Sequence, residues 1–136
     1  MDKKLVDIII NETNALENLL ALLKEQYVYI MKKDVFSIEE VIEKIKLSNQ
    51  QIAQEEVNRR KLVGNKPMRE IINESKNEDL VDEYRKVKKI ITLVKQQKET
   101  NELLIKQQIG FNTQILNLIN PRRDVKTYTS MGNLSR

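Results

Sequence analysis

Residues 5–30 read LVDIIINETNALENLLALLKEQYVYI, and the spacing of the large apolar side chains in this run decides the fold. Leu5, Ile9, Leu16, Leu19, Leu23 and Ile30 recur at alternating steps of four and three, with Glu12 and Gln26 standing in the two gaps. That is a heptad seam, the pattern that keeps one stripe of a long helix facing its neighbours. It predicts a helix from Asp2 to Lys33, roughly 48 Å long at 1.5 Å per residue.

Working outward, the next segment, KKDVFSIEEVI, is a boundary. Ser37 followed three residues later by Glu40 is a capping-box pattern, and Phe36 ahead of it is placed to staple onto Val41. A second helix is predicted from Ile38 to Val63, with a seam of Ile38, Val41 or Ile42, Ile45, Ile52 and Leu62. Asn49, Glu56 and Arg59 fall near that seam, so its second half is expected to pack less tightly. Gly64 suits a left-handed helix end and Pro67 a first helical position, which makes GNKP the clearest break. PMREIINES is expected to form two short turns, and Asn77 to cap the helix after them.

The last helix is predicted from Glu78 to Ile119. Leu80, Val87, Val94, Asn101, Gln108 and Ile115 are spaced by seven, as are Ile90, Gln97, Leu104, Phe111 and Leu118. The seam is polar in its middle, at Gln97, Asn101 and Gln108. At roughly 63 Å this helix would outrun the second by more than about 20 Å. Pro121 ends it, and residues 121–136 have no periodicity and read as a mobile tail. The fold class is therefore all-α: an elongated antiparallel three-helix bundle or coiled coil over residues 1–120, with a long C-terminal helix and a flexible tail over 121–136.

Composition supports long elements. Three Gly and two Pro in 136 residues leave few turns, and 4% aromatic residues without Trp suit a narrow Leu/Ile/Val seam. The absence of Cys and His excludes thiol- or imidazole-bound zinc, Ser–His and Cys–His nucleophiles and the Glu-x-x-His motif of di-iron bundles. No Gly-rich phosphate loop is present. No catalytic residue, metal or cofactor is therefore assigned. The charges, 24 basic and 20 acidic, are intermixed. Glu40–Lys44, Glu55–Arg59, Glu56–Arg60 and Asp82–Lys86 have the favourable i, i+4 order of a solvated helix face. A nucleic-acid surface would instead cluster basic residues with stacking aromatics, so no nucleic-acid partner is expected. LVDIII is too short for an export signal or a membrane span, which gives a cytoplasmic location without membrane insertion.

One stretch departs from this charged pattern. Residues 107–120, QQIGFNTQILNLIN, carry no charge in a chain that is 32% charged. On a helical wheel Leu104, Phe111, Ile115 and Leu118 form one stripe; Ile105, Ile109, Leu116 and Ile119 form a second, about 110° away. Such an arc spans roughly half the circumference, where a bundle helix needs little more than 100°. Two readings follow. Both stripes are buried, in the bundle or a homodimer, or one of them is a site for an amphipathic client helix. Gln and Asn on the flanks suit the second reading, since amides keep the face soluble without the desolvation a docked charge would require.

In its order of elements the chain resembles the FlgN family of flagellar export chaperones. LENLLALLKEQ, then KKDVFSIEEVIEKIK and EEVNRRKLVG, then a broken segment, then ETNELLIKQQIGFNTQILNLI and the tail TYTSMGNLSR carry the likeness across the whole chain. Its strongest points are Asn101 ahead of Leu103, Leu104 and Ile105, and the spacing of Tyr128 and Gly132. The family tail often sets its Gly nearer the Tyr, so there this chain departs from the pattern. The resemblance implies a cytosolic chaperone that binds the hook–filament junction proteins, keeps their terminal helices unassembled and delivers them to the export gate. It implies client binding through the C-terminal helix, here Asn101, Leu104, Ile105, Gln108, Phe111, Ile115 and Leu118. It also implies docking of Tyr128 on the cytosolic domain of the export gate. The alternative is a homodimeric coiled-coil adaptor that buries the 104–119 face between copies.

Overall fold

A computed structural model describes residues 2–108, and within them all regular structure is helical. The elements are α1 (Asp2–Lys32), α2 (Val35–Val63), α3 (Met68–Glu74) and α4 (Glu78–Gln107). The three long helices of the expected bundle are present in the expected order. The segment predicted as two turns is the single short helix α3.

The joint between α1 and α2 is tighter than predicted. Lys33 takes a positive φ of 56°. Its N–H donates to the Ile30 carbonyl and that of Asp34 to the Tyr29 carbonyl, both at 3.0 Å. This is a Schellman closure with Lys33 in the position where Gly is usual. Asp34 then caps the next helix: its carboxylate accepts from the Ser37 N–H at 3.2 Å and from the Ser37 hydroxyl at 2.7 Å. The cap is thus Asp34, three residues before the predicted Ser37, because a carboxylate satisfies the free N–H groups of the first turn better than a hydroxyl already bonded to it. Phe36 does not staple onto Val41; it is 84% exposed.

Gly64 ends α2 with the positive φ expected, 68°, but with ψ −143° rather than a left-handed helical turn, and its N–H donates to the Arg60 carbonyl at 2.8 Å. Pro67 sits one residue ahead of α3 rather than within it. Asn77 caps α4, its side chain accepting from the N–H groups of Asp79 and Leu80.

Both α2 and α4 pack along α1, and α3 packs on α4. Leu5 and Ile9 cluster with Leu80 and Val87, while Ile30 clusters with Ile38, Ile42 and Ile105. The direction is therefore up–down–up: α1 and α4 run parallel, with α2 antiparallel to both. The α1 seam is the core, with Leu5, Ile9, Leu16, Leu19, Leu23 and Ile30 all at or below 8% exposure. In α2 Ile38, Val41, Ile42 and Ser48 are buried and nothing after Ser48 is, so the second half packs loosely as expected. The surface ion pairs differ from the expected i, i+4 set: Lys86 bonds Glu83 and Arg85 bonds Asp82, both three residues away. Exposed pairs of either spacing are worth so little that side-chain rotamers decide between them.

α4 ends at Gln107, not Ile119. Gln108 has left the helix, with φ −94° and ψ 89°, and its N–H donates to the Ile105 carbonyl at 3.2 Å. With 30 residues against 29, α4 does not outrun α2. Its last buried contact among the described residues, Ile105 on Ile30, lies beside the end of α1. The domain boundary placed at 120 lies outside the described residues.

Candidate functional site

The residues expected to bind a client begin on the last two turns of α4, where the heptad spacing brings Asn101 and Ile105 onto α1. Asn101 is 1% exposed. Its Nδ2 donates to the Leu23 carbonyl at 2.8 Å and to Gln26 Oε1 at 2.9 Å, and its Oδ1 accepts from Gln97 Nε2 at 3.0 Å. Gln26 is itself only 3% exposed. A polar layer in an apolar seam persists only when each group finds a partner, and here they find one another.

Ile105, one turn on, is fully buried between Ile30, Ile38 and Ile42. Of the two apolar stripes, one was expected to pack inside; at Ile105 the start of α2 supplies the cover, because α2 begins beside the end of α1. Leu104 is partly buried against the same cluster, and Gln108 is half-buried. Leu103, on the opposite side, is 56% exposed. Of the expected client residues, then, Asn101 and Ile105 lie inside the bundle, and Leu104 and Gln108 at its edge. Phe111, Ile115 and Leu118 lie outside the described residues, as does Tyr128.

A second polar contact crosses the core near the other end. Arg59 of α2 donates from Nε to Glu12 Oε1 of α1 at 3.1 Å, with the two side chains 21% and 12% exposed. Burial pushes the Glu12 carboxyl above its ordinary value of 4.5; the Arg59 charge pulls it back, and Glu56 and Glu55 add to the rise. Glu12 and Gln26 are the two gaps in the α1 seam, and Arg59 and Asn101 are polar residues near the seams of the other long helices. Their pairing had not been drawn from the sequence, although a buried polar group needs a partner and few other candidates lay within reach.

No helix among the described residues is long and apolar enough to cross a membrane. The family model described as FlgN protein matches residues 1–136, the whole chain. No curated protein and no solved structure matches it.

Proposed function

The chain belongs to the FlgN family, a family of flagellar export chaperones rather than of enzymes, and from that premise we propose that it acts in the cytoplasm as a chaperone for the hook–filament junction proteins. It holds their amphipathic terminal helices, prevents premature assembly and hands them to the export gate. The observation that carries this reading is the family match over all 136 residues.

The client surface is the apolar face that starts at Leu104 and Gln108 and continues through Phe111, Ile115 and Leu118. Asn101 and Ile105 serve it from inside the bundle, anchoring the end of α4 on Leu23, Gln26 and Ile30 so that the face is presented from a fixed base. Residues 107–120 carry no charge, so a client helix can cover them without stripping water from an ion. Tyr128 docks on the cytosolic domain of the export gate. An aromatic ring offers a large contact area with only two torsions to freeze, and Arg122, Arg123 and Lys126 beside it favour an acidic surface.

The test is light scattering of the purified protein alone and mixed with each hook–filament junction protein. A discrete complex with a junction protein supports the reading. A homodimer that takes up no junction protein overturns it and points to a coiled-coil adaptor.

A further inference from the structure

Helix α2 carries apolar side chains on two faces. The inner face supplies Ile38, Val41 and Ile42 to the core, while on the outer face Leu47 and Val57 are 66% and 44% exposed. These two belong to one series. Glu43, Leu47, Gln50, Gln54, Val57 and Lys61 recur at alternating steps of four and three, and all six are exposed. That is the rhythm of a helix seam, here turned away from the protein's own bundle.

The series complements its own reverse: acid, apolar, amide, then amide, apolar, base. We propose that α2 packs through this face, antiparallel, against α2 of a second copy of the chain. Glu43 then faces Lys61 of the second copy, Leu47 faces Val57 and Gln50 faces Gln54. Each match occurs twice, as the two-fold symmetry of a closed dimer requires. Other arrangements fit less well. Sliding by one heptad in one direction sets Glu40 against Val57 and Leu47 against Gln50. Sliding the other way sets Leu47 level with Gly64, past the end of α2, and Val57 against Gln54. A parallel pairing keeps Leu47 on Leu47 but sets Glu40 on Glu40, Glu43 on Glu43 and Lys61 on Lys61, and like charges reject it. The one unfavourable match in the antiparallel register lies at the edge, where Lys46 meets Arg60. Both are exposed, so solvent and salt screen the repulsion, and Lys46 is bonded to Glu43 of its own helix at 3.4 Å. The stripe from Glu43 to Lys61 is about 27 Å long and only two of its six residues are apolar. It belongs with the small, transient interfaces, and the dimer depends on concentration.

The pairing is a property of the chain alone and does not rest on the chaperone reading. Leu104 packs beside Ile30 and Ile38, on the inner side of α2, so a dimer formed through the outer face leaves the end of α4 as it is. Failure of either proposal says nothing of the other.

Sedimentation equilibrium of the full-length protein, without client and up to about 1 mM, tests this. Low ionic strength is used, where exposed charge pairs act most strongly. Glu43→Lys and Lys61→Glu each turn both symmetry-related matches from attractive to repulsive, and each is expected to weaken dimerisation roughly tenfold. The double variant Glu43→Lys with Lys61→Glu restores opposite charges at both and is expected to return close to the parent. Both side chains are exposed, so circular dichroism is expected to stay at the parent level throughout. Weakening by the single changes with recovery in the double supports the proposal. A parent that stays monomeric over the whole range overturns it. So does a dimer indifferent to the single changes, as one formed through residues 104–119 would be, and so does a double variant no stronger than the singles.

Discussion

Asn101 of α4 and Gln26 of α1 share a hydrogen bond of 2.9 Å although 75 residues separate them, and both are buried. Removing one partner strands the other. Asn101→Ala is expected to lower stability by about 1–3 kcal/mol, the usual penalty for leaving a buried polar group unpaired. The double change Asn101→Leu with Gln26→Leu removes both partners and is expected to be neutral or stabilising. Urea denaturation of the single and double variants checks the contrast.

Glu12 and Arg59 differ from that pair in responding to pH. The Glu12 carboxyl titrates above its ordinary 4.5 in the folded chain, chiefly through burial and against the pull of Arg59. A raised folded value means that the fold favours the protonated form. The stability from this group is fully present below 4.5 and is lost as pH rises through the folded value. Glu12→Gln is therefore expected to be neutral or stabilising at pH 7. Arg59→Met leaves the carboxylate unpaired and is expected to destabilise by about 1–3 kcal/mol at pH 7, with the loss shrinking toward pH 4. Chemical denaturation at both pH values measures it.

Lys33 holds a left-handed conformation that Gly adopts without steric penalty. Lys33→Gly is expected to stabilise by up to about 1 kcal/mol, a rise of several degrees in Tm for a domain of this size. Asp34→Ala removes the acceptor for Ser37 and is expected to lower Tm. Those Ser37 hydrogen bonds hold the Asp34 carboxyl below its ordinary value of 3.8. Its contribution is thus present above 3.8 and lost as pH falls through the folded value. Thermal melts at neutral and acid pH separate the two residues.

Phe111→Ala and Ile115→Asp are each expected to weaken binding of a hook–filament junction protein by more than about 1 kcal/mol, with circular dichroism near that of the parent. Loss of helicity in parallel with affinity would instead make the face part of the core. Tyr128→Ala is expected to leave client affinity unchanged while lowering affinity for the cytosolic domain of the export gate. Calorimetry against the two partners separately distinguishes these effects.

The bundle was legible because its determinants are local. The seam of Leu5 to Ile30, the cap at Asn77 and the break at Gly64 each follow from a few neighbouring residues. Less legible was anything set by a partner distant in sequence. Glu12 and Gln26 read as gaps in a seam, and only the folded chain shows that Arg59 and Asn101 fill them. The sequence left open which of the two stripes, that of Leu104 or that of Ile105, packs inside; the fold buries Ile105 against Ile30, Ile38 and Ile42. The end of α4 was overread because apolar periodicity runs past Gln107 without marking where helical geometry is lost, and Gln108 leaves the helix.

Because α1 is the shared partner of α2 and α4, the order of synthesis matters. The α1–α2 hairpin is complete once Val63 has emerged, but Asn101 and Ile105 follow only roughly forty residues later. At ribosomal speeds of about 5–20 residues per second, the side of α1 that awaits α4 stays bare for roughly 2–8 s. Gln26 lies on that waiting side, and a polar residue there makes the nascent surface less adhesive at the level where Asn101 will later dock.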